Sequence, residues 1–209
     1  VWKKENTDFK NIFVIKENGR IVSLVRMFPL KTIQNGVEMN LAGIGGVSTL
    51  YSHRGKGYMT LLLNHTFEEM KRQKFPISVL DGDRHRYGNF GYENGGRAVE
   101  IAILSRGLKK CGVQAIPAKR YDNTNREVLG KIIKASEKLK YRKVRTTQEF
   151  KNIYERRDIN VYYAEEGRRF AFVVVSASTI ESKDTGIKKV MGFGGDNNLI
   201  LGILQHLVE

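Results

Sequence analysis

The sequence of 209 residues predicts a mixed α/β fold, and three observations carry that expectation. Asn18-Gly19 and Asn35-Gly36 each stand between apolar runs, the strongest short-range signal for a two-residue hairpin. Arg54-Gly55-Lys56-Gly57, a glycine-rich basic turn, then separates the last of these runs from a segment with helical apolar spacing. Further on, Thr124-Asn125-Arg126-Glu127 and Thr146-Thr147-Gln148-Glu149 have capping-box spacing and are followed by three apolar runs. Strands paired by tight turns and helices opened by caps recur in both halves.

Taken in order, residues 2–9 are a basic lead-in. The runs Asn11–Lys16, Ile21–Phe28, Leu30–Gln34 and Val37–Leu50 are expected to give three antiparallel strands ahead of the glycine-rich turn. From Gly57 to Lys74, Met59, Leu62, Leu63, Phe67 and Met70 recur at three and four residues and define one helix face. Lys71, Arg72 and Lys74 suit its C-terminal dipole, and Pro76 stops it. A short strand (Ile77–Leu80), a turn (Asp81-Gly82-Asp83), a brief helix (Arg84–Asn89) and a strand (Val99–Leu104) complete a first domain, 1–106. After a connector containing Gly112 and Pro117, the second domain, 107–209, begins its helices at the two caps. One carries Val128, Leu129, Ile132, Ile133 and Leu139, the other Phe150, Ile153 and Tyr154. Strands Asn160–Ala164, Phe170–Ala177 and Ile187–Phe193 follow, then a helix from about Asn197 with Leu199, Ile200, Ile203, Leu204 and Leu207 facing inward.

The net charge of +14 would draw anions of many kinds, from phosphorylated cofactors to nucleic acid. The basic residues are scattered, however, and aromatic residues are not interleaved among them as in single-strand binders, which disfavours nucleic acid. No run of eighteen apolar residues exists, so no membrane partner is expected. The start, Val-Trp-Lys-Lys-Glu, is unlike a signal peptide, and a single cysteine, Cys111, suits a reducing, cytoplasmic location. His53, His65, His85 and His206 lack ligand spacing, so no metal site is expected.

The strand, basic glycine turn and helix place free backbone N–H groups at a helix N-terminus, where the dipole favours an anion. Gly55 and Gly57 let a phosphate approach the main chain, and Arg54 and Lys56 add charge. This is a phosphate cradle without Walker spacing. It is not a dinucleotide fingerprint either, because Gly43-Ile44-Gly45-Gly46 falls inside the strand. A basic loop that merely caps a helix is the competing reading.

Arg54-Gly55-Lys56-Gly57-Tyr58-Met59 resembles motif A of the GNAT (GCN5-related N-acetyltransferase) superfamily, Arg/Gln-x-x-Gly-x-Gly/Ala, with Met59 departing at the final small position. Arg86-Tyr87-Gly88-Asn89-Phe90-Gly91-Tyr92-Glu93 resembles the Tyr-x-x-Phe-Gly-Tyr/Phe segment of the same superfamily. The pair is similar to the tandem-GNAT, enhanced-intracellular-survival-like group. The resemblance covers Asn11 to about Arg106 well. It implies a GNAT acyl-CoA acyltransferase fold lacking its first strand and helices, followed by a second, degenerate GNAT-like domain without a cofactor of its own. Gly194-Gly195-Asp196 would then stand in the place of motif A without its arginine. The chain is expected to be a piece of a longer protein.

The resemblance also implies an acetyl-CoA-dependent N-acetyltransferase acting on a small-molecule or peptide amine. The pyrophosphate would sit on Arg54, Gly55, Lys56, Gly57, Tyr58, Met59 and Thr60. Val47, Ser48 and Thr49 would pair with the pantetheine and thioester along a splayed strand edge. Tyr87 would be the general acid for the leaving thiolate. Asp81, Asp83, His85 and Glu93 stand near the second motif as candidate bases, and the sequence does not choose among them. The terminal carboxylate used by aminoglycoside-modifying relatives cannot be transferred to Glu209. An aminoglycoside-like acceptor would want an acidic cleft, which Asp81, Asp83 and Glu93 could supply. The rival function is a non-catalytic module binding acetyl-CoA or another anion. Homo-oligomerisation is left open.

Overall fold

The computed structural model describes residues 8–95, 101–177 and 189–209. Two compact units divide the chain, Val1–Arg97 and Ala98–Glu209.

In the first unit, β1 (Ile12–Glu17), β2 (Arg20–Gln34) and β3 (Val37–Thr49) form an antiparallel meander. Its two turns are the Asn-Gly pairs, with φ of 48° and 77° at Asn18-Gly19 and 50° and 84° at Asn35-Gly36. Two successive positive φ values give the turn twist that matches paired strands, and Asn and Gly tolerate them best. The runs Ile21–Phe28 and Leu30–Gln34 belong to one strand, β2, so three antiparallel strands precede the glycine turn, as expected. Pro29 lies within it opposite Ala42, in a ladder that continues on both sides. Helix α1 (Tyr58–Arg72) follows, then β4 (Ile77–Leu80), parallel to β3. The helix buries Leu62, Leu63, Thr66 and Met70 against Val25, Met27, Ala42 and Ile44 of the sheet. Thr66 satisfies its hydroxyl by donating to the Leu62 carbonyl at 2.7 Å, so it is buried without an orphan donor. The brief helix expected over Arg84–Asn89 is split into α2 (Arg84–Tyr87) and a 3-10 turn at Gly88–Phe90.

The strand expected at Val99–Leu104 is not found. Residues 101–104 have no regular structure, and 99 and 100 lie outside the described residues. Ile101 is 76% exposed, so its side chain has no sheet face to bury against.

In the second unit, α3 (Ser105–Lys110), β5 (Lys119–Arg120), α4 (Arg126–Glu137), β6 (Tyr141–Lys143) and α5 (Thr147–Tyr154) precede β7 (Ile159–Glu166), β8 (Arg169–Ser176), β9 (Val190–Gly195) and α6 (Asn197–Val208). The sheet order is β5-β7-β8-β9, all antiparallel. Strand β8 is buried on both faces. Ala171, Val173 and Val175 meet Leu199 and Ile203 of α6, whereas Phe172 and Val174 meet Val128, Leu129 and Ile132 of α4. A continuous apolar run is what a strand covered on both faces requires. Thr146 and Glu149 form the expected reciprocal capping box. The cap of α4 is Asn125 rather than Thr124, its side chain accepting from Val128 N at 3.1 Å. Asp122 takes both the amide and the hydroxyl of Thr124 at 2.8 Å, which removes that hydroxyl from the helix end.

Candidate active site

The site is built where β3 outruns β4. The parallel ladder joins Leu41 to Ile77 and ends with Ile44 opposite Leu80, whereas β3 continues to Thr49. Along Gly45–Thr49 the β4-facing edge has no strand partner among the described residues. A bulge sharpens the divergence. The β2–β3 register slips between Leu24/Ser48 and Arg26/Gly45, and Gly46 takes φ 61°. An extra residue led by a left-handed glycine bends its strand and frees backbone groups from the ladder. Gly45 is needed for a separate reason: a Cβ there would stand 2.8 Å from Phe28 Cε2.

The chain then passes a 3-10 turn, Tyr51–His53, and enters α1 through the basic glycine turn. Gly55 and Gly57 have φ of 78° and 76°, and a Cβ on either would meet nothing within 4 Å. The space beside both is open. Gly57 is the N-cap and no side chain caps this end, so the first-turn N–H groups of α1 are left for a ligand or solvent. Arg54 stacks over the Tyr51 ring at 5.1 Å.

One carboxylate fastens this turn. Glu17, at the end of β1, accepts the Tyr58 hydroxyl and lies 3.4 Å from Lys56 Nζ and 3.3 Å from His53 Nε2. The Tyr58 hydrogen bond chiefly holds the Glu17 carboxyl below its ordinary range, with the charges of Lys56 and His53 acting the same way against some desolvation. The same bond raises the Tyr58 phenol. Sequence reasoning missed Glu17, whose partners are remote in the chain.

A cleft of about 370 Å³ opens here, lined by Val47, Ser48, Thr49, His53, Arg54, Gly55, Tyr58, Met59 and Arg86. Most of the sequence-assigned ligands thus share one surface. Lys56, Gly57 and Thr60 do not line it, Lys56 being turned to Glu17. Ser23 supports the strand end, its hydroxyl donating to the Ser48 carbonyl at 3.1 Å and sitting 2.9 Å from Thr49 Oγ1. Arg86 was not singled out from sequence; its place one residue before Tyr87 was the available signal.

Tyr87 closes α2 and is 8% exposed, among the core residues and not among those lining the cleft. Its ring stands edge-on to Tyr92 at 6.3 Å and covers Gly82, where a Cβ would come within 2.5 Å of Cε2. Tyr92 meets Ser78 Oγ, which donates onward to the Ala42 carbonyl at 2.9 Å. Burial is the main cause of the raised Tyr92 phenol.

None of the acidic candidates lines the cleft. Asp83 caps α2 by accepting from His85 N at 2.9 Å, and Glu93 pairs with Arg84 at 3.0 Å. The charged side chains that line it are basic, so the acidic cleft considered for an aminoglycoside-like acceptor is not what the lining residues form. Among the described residues no cluster of His, Cys, Asp or Glu could hold a metal, and no helix is long and apolar enough to cross a membrane.

The first unit thus combines a β-meander, a bulged strand whose end outruns its parallel neighbour, and a basic glycine turn that opens a helix. Residues 1–95 match the family model described as an acetyltransferase (GNAT) domain. A GCN5-related N-acetyltransferase from Kribbella flavida matches at TM-score 0.67 and 20% identity, over 95% of this chain and 50% of that one. One from Anabaena variabilis matches at TM-score 0.65 and 17% identity, over 95% and 52%. Eis1 from Mycobacterium abscessus matches at TM-score 0.59 and 11% identity, over 95% and 53%. At these identities the likeness is one of fold, and the chain spans about half the length of these structures. No curated protein sequence matches.

Proposed function

We propose that this chain is the acetyl-CoA-binding part of an N-acetyltransferase that moves an acetyl group to an amine. The observation that carries the reading is the continuity of the free β3 edge with the uncapped, basic start of α1. A thioester with a long amide-bearing arm and a pyrophosphate fits that sequence of groups. Its amides would pair with Val47–Thr49. Its phosphates would lie on the N–H groups from Gly55 to Thr60, with Arg54 beside them and Lys56 drawn from Glu17 when the charge arrives. Unpaired backbone groups are costly to bury, so a ligand that pairs with them is favoured.

In the reaction the amine nitrogen attacks the thioester carbonyl carbon and forms the C–N bond. The C–S bond breaks, the thiolate takes a proton, and the nitrogen loses one. Tyr87 is the proposed proton donor, since a phenol hydroxyl can hydrogen-bond to and protonate a departing thiolate. An amine of pKa near 10.4 costs about 4–5 kcal/mol to deprotonate at neutral pH, so a base or an unusually acidic amine is required. The second unit is proposed to be a degenerate GNAT-like domain. Its β8–β9–α6 run, with Asp196 accepting from Asn198 N and Leu199 N at 3.0 Å, supports this: a carboxylate takes the helix end that a phosphate would need.

The burial of Tyr87 favours one second reading, a module that binds acetyl-CoA without turning it over. Thiol release from acetyl-CoA with a panel of amines separates the two. For the enzyme, Tyr87→Phe lowers kcat by about 100-fold or more with the KM for acetyl-CoA little changed. Saturable binding with no thiol release, by both forms, selects the module.

A further inference from the structure

We infer that the acceptor amine carries an anionic oxygen group, a carboxylate or a phosphate, and that the Arg86 guanidinium receives it. This rests on the acetyltransferase reading above. The cleft holds two separated kinds of positive charge. Arg54 belongs to the turn that leads into α1, where the pyrophosphate seat is proposed. Arg86 comes from α2, a different element, beyond the end of β4.

Arg86 differs from its neighbour in being unpaired among the described residues. Arg84, two residues earlier, is held by Glu93 through Nε at 3.2 Å and Nη2 at 3.0 Å. Arg86 has no hydrogen bond or ion pair of its side chain among the described residues, and it is exposed. It is nonetheless well positioned. The Asp83 cap fixes the start of α2, Arg86 N bonds back to Asp83 O at 3.1 Å, and buried Tyr87 anchors the adjoining residue. A planar guanidinium on a fixed backbone suits two-point recognition of a carboxylate or phosphate. The cleft lining contains no carboxylate, so an acceptor bearing further ammonium groups meets only like charge there.

The anionic group could also be a phosphate of the co-substrate, and the test separates the two sources. Thiol release from acetyl-CoA is measured with matched acceptors: ε-aminocaproate against hexylamine, phosphoethanolamine against ethanolamine, and cadaverine as a diammonium. The wild type should prefer the anionic member of each pair by about tenfold or more in kcat/KM, the worth of one charge-assisted hydrogen bond. Arg86→Gln should bring each pair within about twofold of equality, with the KM for acetyl-CoA unmoved, and Arg86→Lys should recover part of the preference. Equal use of both members, or preference for cadaverine, overturns the inference. So does an Arg86→Gln protein that keeps its preference but shows a raised KM for acetyl-CoA, because the guanidinium then serves the co-substrate. If no acceptor is used while acetyl-CoA still binds saturably, the acceptor assignment alone falls. If acetyl-CoA does not bind, the acetyltransferase reading falls with it.

Discussion

Gly57 caps α1 at φ 76° and ψ 5°, and a Cβ built there meets nothing within 4 Å. Gly57→Ala therefore tests backbone conformation alone, with no packing clash to confuse it. An L-residue other than glycine costs about 1–2 kcal/mol in the left-handed region, and no new contact offsets it. Asparagine visits that region more readily, so Gly57→Asn should lose clearly less than alanine. The assay is urea unfolding of the three proteins, with thermal melting as a second measure. For each 1 kcal/mol lost, a fall in Tm of about 2–8 °C is expected over the range of domain sizes concerned. Wild type, asparagine and alanine should rank in that order of stability. An alanine variant as stable as wild type, or less damaged than asparagine, would show that the turn does not hold Gly57 left-handed. The open cradle would then not be the resting geometry.

Two further outcomes follow from contacts elsewhere. The Glu17 carboxyl lies below its ordinary range and the Tyr58 phenol above its own. The first contribution is present above the unfolded carboxylate pKa and lost as pH falls through the lowered value; the second is present below the phenol's unfolded pKa and lost as pH rises through the raised value. The fastening should thus be intact between about pH 5 and 10. Amide protection at Leu61, whose N–H donates to the Gly57 carbonyl at 3.0 Å, should drop below that window in wild type and be low throughout in Glu17→Gln; unchanged protection would contradict the tie. In the second unit, Gly195 has φ 107° and a Cβ there would fall 2.1 Å from the Phe170 carbonyl oxygen, whereas a Cβ at Gly194 meets a movable Phe172 ring at 2.8 Å. Gly195→Ala should cost about 3 kcal/mol or more and Gly194→Ala distinctly less, as chemical denaturation would show. Equal losses would refute the distinction.

Local rules were legible in the sequence, and contacts between remote residues were not. The hairpins at Asn18-Gly19 and Asn35-Gly36 have the positive φ values their residues demand, because a two-residue turn is decided by the two residues themselves. The Thr146 capping box is local in the same sense, whereas at Thr124 a competing Asp122 moved the cap by one residue. The glycine run Gly43-Ile44-Gly45-Gly46 announced an unusual strand but not where it would bulge. That depends on the register against β2 and on Phe28 lying over Gly45. Glu17 and Arg86 join the site only after β1, α1 and α2 have been placed. Tyr87 shows the limit of motif reading. The segment marked it for chemistry, and its ring lies in the core beside Gly82 and Tyr92.

The central claim is that the free β3 edge and the start of α1 form an acetyl-CoA site. Isothermal titration of acetyl-CoA into the wild-type chain and into Gly57→Glu tests it most directly. The account predicts saturable, single-site binding by the wild type and its loss when a carboxylate stands at the helix N-terminus in place of the open space beside Gly57. Absence of binding by folded wild-type protein, or equal binding by the glutamate variant, would contradict it.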